Sequence, residues 1–336
     1  MKIRITIMVI CFAFSLQVLS AQENKKLAQT GLKFLNLSTD PRAVGMGDAV
    51  TSVESGALSV FFNPASLARQ ENFLSATFGQ TNWIADIKHI YASVSISPMQ
   101  SSYGVIAISM QSVDYGDIPE TIIANNADGY LDLGMYKPTA LAFGVTYSRA
   151  LSDRFSVGGN IRYVSQNLGQ STNSLDVTTN EPKKSDNKIT TTSYDFGMFY
   201  KTGFKSLNFA MSVRNFSKEL KFQKEGFQLP LIFKIGISVN AMDFFTSSKD
   251  ADVFLVSVDA VHPRDYPEQI NLGFEYVFMK SMSLRAGYTP NNDEYSYSFG
   301  AGVQQSIEGV GLGVDYSYTP FGIFGNINRV EVQLFF

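Results

Sequence analysis

A period-two alternation of large apolar and small polar residues runs from Asn72 to the last residue of the chain. Between Ile270 and Phe278, for example, apolar and aromatic side chains alternate with Asn271, Gly273 and Glu275. Side chains of a β-strand point alternately to its two faces, so this spacing predicts strands with one apolar and one polar face. We count fourteen such runs. The sequence therefore predicts an all-β fold.

The composition of the polar faces indicates where these strands lie. A soluble sandwich would carry many Lys and Glu residues on its outer face, whereas these faces are dominated by Gly, Ser, Asn and Gln. Charged residues make up 17% of the chain, below the roughly 25% of ordinary soluble domains. An open sheet in lipid would leave backbone groups unpaired. We therefore predict a closed transmembrane antiparallel β-barrel of about fourteen strands.

Connection lengths predict the orientation of the barrel. The third, fifth and seventh connections are long, at residues 115–136, 169–187 and 217–228, whereas the even-numbered ones are short except for the eighth, at residues 241–250. Outer-membrane barrels have short periplasmic turns and longer outer loops. With an even strand number, this pattern predicts both termini in the periplasm. The polar stretch 170–188 is expected to be a mobile outer loop.

The first 21 residues have the three-part layout of a cleaved secretory signal: basic Lys2 and Arg4, an apolar run, and Ser20-Ala21. A single membrane anchor is the alternative, but the apolar run is shorter than the roughly 20 residues of a spanning helix. The only cysteine, Cys11, lies in this signal, so the mature chain has no thiol chemistry.

The charge balance of the mature chain argues against a nucleic-acid partner. Removing Lys2 and Arg4 from the 27 basic residues leaves 25 against 30 acidic residues, a formal charge of −5, with no basic cluster. We predict the lipid of an outer membrane as the surroundings of the chain.

The stretch from Asp40 to Ala68 interrupts this pattern between the signal and the strands. Its small residues, its glycines and the Asn63-Pro64 turn suit close backbone approach, so we interpret it as a plug, or hatch, inside the barrel. A short helical hairpin lying under the barrel is the alternative. The predicted domains are a signal at 1–21, a plug at 22–71 and a barrel at 72–336. The predicted plug residues are Arg42, Gly45, Met46, Gly47, Asn63, Pro64 and Ala65.

Following the alternation, five basic and five acidic side chains face the lumen. Equal numbers of both signs argue against a strongly ion-selective pore, and we expect these charges to pair with one another and with the plug. The predicted lumen charges are Arg162, Arg214, Lys234, Arg285 and Arg329, with Asp195, Asp259, Glu275, Asp315 and Glu331.

Residues typical of catalysis are not arranged for it. His89 and His262 are far apart in the chain and are interpreted as interfacial or loop histidines, and no G-x-S-x-G elbow precedes a helix. We therefore predict no enzyme, no cofactor and no metal site. The last strand alternates up to the terminal Phe336, which resembles the C-terminal insertion signal of outer-membrane barrels.

The residues around the predicted plug resemble the N-terminal signature of the PorV/PorQ family of Bacteroidetes outer-membrane proteins. The matching residues are Phe34-Leu35, Arg42-Ala43, Met46-Gly47 and Phe62-Asn63-Pro64-Ala65-Ser66-Leu67-Ala68, where Ser66 replaces the usual glycine. The Asn-Pro-Ala element is also similar to the hatch of the FadL long-chain fatty-acid transporters, which implies a fourteen-stranded barrel with an N-terminal hatch.

The resemblance implies an outer-membrane component of type IX secretion. Its expected partners are proteins of the translocon or the surface-attachment complex, and cargo with a C-terminal sorting domain. The alternative function is FadL-like transport of hydrophobic small molecules, which implies an apolar small ligand.

Overall fold

The computed structural model describes residues 29–98, 103–175, 182–222, 225–245, 252–290 and 295–336. The predicted signal peptide lies outside the described residues. The strands are, in chain order, β1 (Leu74–Asn82), β2 (Lys88–Ile96), β3 (Val105–Asp114), β4 (Ile118–Ile123), β5 (Tyr130–Tyr136), β6 (Thr139–Ala150), β7 (Phe155–Leu175), β8 (Pro182–Lys201), β9 (Asn208–Phe216), β10 (Leu220–Phe222), β11 (Glu225–Phe227), β12 (Ile232–Asn240), β13 (Val253–Pro263), β14 (Gln269–Phe278), β15 (Met282–Tyr288), β16 (Tyr297–Ile307), β17 (Val310–Pro320) and β18 (Asn326–Phe335).

Fourteen of these strands form one closed antiparallel barrel, in which each strand pairs with its neighbours and β1 closes the ring against β18. The predicted barrel of fourteen strands is therefore confirmed. The other four strands form two separate hairpins, β4–β5 and β10–β11, within the third and seventh connections. Phe336 lies at the closing seam, where its amide donates to the Leu74 carbonyl (N to O, 3.0 Å) and its carbonyl accepts from the Leu74 amide (2.8 Å). Its role as an insertion signal stays a prediction.

The two faces of the wall differ as the alternation predicts. Along β6, Phe143, Val145 and Tyr147 are exposed on the outside, whereas Thr146 and Ser148 are buried on the inside. The lipid of a bilayer can surround an outer band of large apolar and aromatic side chains, whereas small inner residues leave room in the lumen.

One sequence expectation about the loops is wrong. The polar stretch 170–188 is not simply a loop, since β7 continues to Leu175 and β8 begins at Pro182, with Gln170 paired to Asp186 and Ser171 to Ser185. The strands thus extend past the part of the wall that alternates with large apolar residues. Backbone pairing continues there through a stretch of mostly polar residues, so the alternation of the sequence fades before the strands end.

The barrel has two distinguishable ends. The terminal end is the one at which β1 begins and β18 ends. The mouth end carries the odd-numbered connections, including the β4–β5 and β10–β11 hairpins.

The N-terminal segment, residues 29–73, crosses the barrel interior from the mouth end to the terminal end. At the mouth end, Thr30 bridges to Gln228 and donates to Asp265 (Oγ1 to Oδ2, 2.8 Å). At the terminal end, Arg69 donates to the carbonyl of Asp153 (2.8 Å). Between these points lie one short α-helix, Pro41–Gly45, and the 3-10 helices Lys33–Asn36, Gly56–Phe61 and Pro64–Arg69. No helix in the described ranges is long and apolar enough to cross a membrane.

The predicted mature amino terminus lies outside the described residues, but the first described residues lie at the end opposite to the one expected for it. The even strand number does place the start of β1 and the end of β18 at the same end, but it carries no information about a segment that crosses the lumen first. Because Thr30 is held at the mouth end, the described chain begins at the end opposite to Phe336.

Single cysteines test this arrangement, since the chain after the predicted signal has none. We expect Gln29→Cys and the mouth-end control Ile323→Cys to react with a membrane-impermeant maleimide on intact cells, because both lie at the mouth end. Asp153→Cys, at the terminal end, should react only after the membrane is permeabilised. Equal behaviour of positions 29 and 153 would contradict the path.

Candidate functional site

All ten predicted lumen charges lie on the inner face of the wall and are buried. They are Arg162, Arg214, Lys234, Arg285, Arg329, Asp195, Asp259, Glu275, Asp315 and Glu331. Buried charges are costly unless they are paired and hydrogen-bonded, so their partners decide what the interior can do. Eight of these charges fall into three groups around the N-terminal segment, while Arg214 donates to the Leu35 carbonyl (3.4 Å) and Arg329 to the Ser38 carbonyl (3.1 Å).

The first group links the segment to β14, β15 and β17. Arg42 binds Glu275 with both ends of its guanidinium (Nε to Oε1, 3.0 Å; Nη2 to Oε2, 2.7 Å), and its third nitrogen donates to the Glu54 carbonyl (3.0 Å). Glu275 also accepts from Arg285 (2.7 Å), which pairs with Asp315. A bidentate guanidinium–carboxylate pair fixes orientation as well as distance. Arg42 therefore anchors the segment's α-helix to the wall.

This network continues to β18 and β2 through neutral groups. The Gln333 amide donates to Asp315 (2.9 Å) and to Glu331 (2.7 Å), and the Tyr91 hydroxyl donates to Glu331. The network thus joins neighbouring strands on both sides of the closing seam.

The second group surrounds a bulge in β9. Arg162 donates to Asp195 (2.7 Å), which also accepts from the Asn215 backbone amide (2.7 Å). Asn215 has a left-handed φ of 62°, and its side chain donates to Asn36 of the segment (2.7 Å) and to the Pro230 carbonyl (2.9 Å). The pairing of β8 with β9 shifts register at this point. The bulge therefore turns a backbone amide toward a buried carboxylate.

The third group holds the middle of the segment against β12 and β13. Asp259 accepts from the Thr51 amide (3.1 Å) and hydroxyl (2.6 Å). The Lys234 ammonium donates to the Asp48 carbonyl (3.0 Å), and the Ser238 hydroxyl donates to the Ser52 carbonyl (2.7 Å). Wall side chains thus supply the hydrogen bonds that an irregular buried backbone lacks.

The predicted Asn63-Pro64-Ala65 element is a helix cap that also contacts the wall. The Asn63 side chain accepts from the Ala65 amide (3.0 Å), and Pro64 follows at the first helical position. The same side chain donates to the Thr51 carbonyl (2.9 Å) and to the Met198 carbonyl of β8 (3.2 Å). One amide therefore caps the helix and joins the segment to the wall.

The predicted glycines lie where backbone meets backbone. Gly47 has a left-handed φ of 61°, and an added Cβ would lie 3.2 Å from the Cα of Gly287 on β15. A Cβ on Gly45 would lie 3.1 Å from the Cα of Gly300 on β16. Met46, between them, is fully buried. Glycines of the wall and of the segment thus face each other.

The mouth end holds a cavity of about 460 Å³ between the segment and the wall. Trp83, Tyr115 and Tyr266 line it together with buried polar side chains. His89 also lines it, buried and in edge contact with Trp83, so its interpretation as an interfacial or loop residue is wrong. His262 is exposed and contacts Glu268 (3.0 Å). Within the described ranges, no cluster of three His, Cys, Asp or Glu side chains could hold a metal.

Sequence reasoning missed several residues that complete these contacts. Thr51, Tyr91, Asn215 and Gln333 are ordinary polar residues, and no local pattern marks them as partners of buried charges. The wall glycines carried a weak signal, since Gly158, Gly197, Gly287 and Gly300 interrupt the inner face at the positions where the segment packs.

The fold and its apolar outer face define a closed, fourteen-strand β-barrel of the outer-membrane class. The toluene transporter TbuX of Ralstonia pickettii is similar over 88% of this chain and 96% of its own, with a TM-score of 0.54 and 12% identity. The Pseudomonas putida toluene transporter TodX has a TM-score of 0.53 and 11% identity over 88% and 96%. The CymD monoaromatic hydrocarbon channel has a TM-score of 0.53 and 12% identity over 91% and 97%. At such identities the likeness shows the fold alone.

A match to a protein-family model identifies the family within this class of barrels. The model described as "Type IX secretion system protein PorV" matches residues 20–194, more than half of the chain. The chain therefore belongs to the PorV family, as its N-terminal signature suggests. No curated protein sequence matches it. The family is described as that of a type IX secretion system protein, and the fold is that of a closed outer-membrane barrel.

The buried pair of Arg42 and Glu275 gives a direct test of the anchor. Arg42→Gln should destabilise the folded barrel by about 3–5 kcal/mol, because it leaves a buried carboxylate short of a partner. Adding Glu275→Gln should recover part of that loss. The matched control is Lys201→Gln, which removes an exposed pair between Glu54 of the segment and the wall and should cost at most about 1 kcal/mol. Urea unfolding in detergent measures the wild type, Arg42→Gln, Glu275→Gln, the double variant and the control; additive effects of the two buried changes would contradict the anchor.

Two neighbouring glycines test the packing of the segment. An added Cβ on Gly158 would lie 2.5 Å from the backbone carbonyl carbon of Pro64, whereas one on Gly159 would come no closer than 3.7 Å to another atom. We therefore expect Gly158→Ala to displace the segment and to raise single-channel conductance in planar bilayers, and Gly159→Ala to behave as wild type. Unchanged conductance and unfolding for both variants would show that the segment does not depend on this contact.

Proposed function

We propose that this protein is an outer-membrane component of a type IX protein secretion and surface-attachment system, and that it works through protein contacts at its mouth. The observation that carries the proposal is the PorV family match over residues 20–194. The matched region contains the whole N-terminal segment and the wall from β1 through much of β8.

The interior supports a role in contacts rather than in open passage. The N-terminal segment runs the length of the lumen and is bonded to β8, β12, β13 and β14. We propose that it acts as a plug. Opening a path would break the buried Arg42–Glu275 pair together with several buried hydrogen bonds between the segment and the wall, and leaving such groups unpaired is costly.

The mouth end offers apolar side chains to a partner. Ile123 is 96% exposed and Met135 is 71% exposed on the β4–β5 hairpin, and Ile323 is 95% exposed in the last connection. Exposed apolar patches on a protein surface mark interaction sites. We propose that these loops contact proteins of the translocon or attachment complex, or cargo that carries a sorting domain, outside the cell.

FadL-like transport of hydrophobic small molecules is the second candidate. The specific observation in its favour is the mouth cavity, whose walls include Phe34, Ile87, Ile232 and Val261. In that case the segment would have to shift to let the molecule leave through the terminal end, and deletion of the gene would reduce uptake of apolar compounds.

Deletion with plasmid rescue distinguishes the two candidates. We expect cells without the protein to leave sorting-domain cargo unsecreted or unattached, and the wild-type gene to restore it. Ile123→Asp with Met135→Asp should fail to restore it, because charges at an apolar contact oppose association. The matched control, Leu151→Asp, alters an exposed apolar residue at the terminal end and should rescue fully.

Heat-modifiable gel migration shows that each variant folds. Normal cargo in the deletion strain together with lost uptake of apolar compounds would overturn the secretion role in favour of transport.

A further inference from the structure

We propose that the mouth cavity is a binding site for a neutral saccharide. The cavity's volume of about 460 Å³ falls within the roughly 300–1,000 Å³ of small-ligand sites. It lies between residues 33–38 of the segment and the mouth ends of β2, β12, β14 and β18. Saccharides combine flat C–H faces, which stack on aromatic rings, with hydroxyl groups that both donate and accept hydrogen bonds.

Aromatic rings enter the cavity from separate connections. Trp83 comes from the first connection, Tyr266 from the ninth and Tyr295 from the eleventh. Trp83 is held in place by edge contact with Phe321 (5.1 Å between ring centroids) and lies under the Arg329 guanidinium (5.7 Å). Rings fixed in this way present apolar faces at little cost in side-chain entropy.

Buried polar atoms of the same cavity have no partner within the described part of the chain. Asn271 Oδ1 and His89 Nδ1 belong to residues that are only 5% and 4% exposed, whereas Ser38 Oγ and Asp48 Oδ1 are buried atoms of half-buried residues. An unpaired buried polar atom costs about 1–3 kcal/mol, so each needs a donor or acceptor from elsewhere. Two of the four, the oxygens of Asp48 and Asn271, can only accept.

The charges around the cavity favour a neutral ligand with hydroxyl donors. Lys33 pairs with Asp265, Lys234 donates to the Asp48 carbonyl (3.0 Å), and Arg329 donates to the Ser38 carbonyl (3.1 Å). The cations thus already have partners, while an unpaired carboxylate oxygen of Asp48 would repel an anion. An aromatic hydrocarbon would contact the rings but would leave Asn271 and Asp48 unpaired.

The single tryptophan of the chain makes the test direct, since Trp83 itself lines the cavity. The probes are lipid-free polysaccharide released by mild acid from the lipopolysaccharide of the host cells, a panel of neutral mono- and disaccharides, and toluene. We expect a saturable change in Trp83 emission with at least one saccharide probe. Response to the polysaccharide alone would assign the ligand to lipopolysaccharide, and response to the small sugars would assign it to free glycans.

Variants of cavity residues test whether the change in Trp83 emission comes from a saccharide bound in the cavity. Asn271→Leu and Asp48→Leu should each weaken saccharide binding about tenfold or more, as expected for one lost hydrogen bond of about 1.4 kcal/mol. Gln305→Leu, at the terminal end of β16, should bind as wild type. Heat-modifiable migration shows that the variants fold. A saturable response to toluene alone, no response to any saccharide, or unchanged saccharide binding in both cavity variants would overturn the proposal.

Discussion

Every peptide group of a wall that crosses a bilayer has to find its hydrogen-bond partner within the protein, because lipid offers none. This chain meets the requirement by pairing β1 with β18, so that the first and last strands close a ring of fourteen. Leu74 and Phe336 complete the seam with two backbone hydrogen bonds. Closure by fourteen strands also sets the width of the lumen, and a lumen of this width has to be filled.

A barrel of about eight strands can be filled by its own inward side chains, but a wider one cannot. Here the space is taken up by the N-terminal segment, whose short helices and turns expose many backbone groups to the wall. Charged and polar side chains of the wall bind the segment: Glu275 pairs with Arg42, and Asp259 accepts a hydrogen bond from Thr51. Glycines of the wall let the segment approach closely, as at Gly158 and Gly287. Charge in the lumen therefore serves structure, and the segment leaves a cavity of about 460 Å³ at the mouth end.

The sequence allowed the wall to be predicted more completely than its contents. Period-two alternation identifies strands and faces, so the number of strands and the inward position of residues such as Glu275 and Arg329 follow directly. Alternation fails where strands leave the membrane, which is why the extension of β7 to Leu175 was missed. It also cannot give distances across the lumen. The pairing of Arg42 with Glu275 joins residues far apart in sequence, and only the closed barrel brings them together.

The direction of the N-terminal segment has a similar cause. The even number of strands places the start of β1 and the end of β18 at the same end of the barrel. A segment that precedes β1 can still enter the lumen from either end. The bonds of Thr30 to Gln228 and Asp265 fix it at the mouth end, and both partners lie in loops with no local sequence signal. The cavity at the mouth follows from this path, because residues 33–38 form one of its walls.

Hydrogen exchange of the folded protein in detergent tests most directly whether the segment is an integral part of the barrel interior. Amides of the segment that are bonded to the wall or within its helices, such as those of Thr51 and Val44, should exchange as slowly as amides of β14. Exchange of residues 41–69 as fast as that of an exposed turn, with the strands still protected, would contradict an interior held together by the segment and the wall.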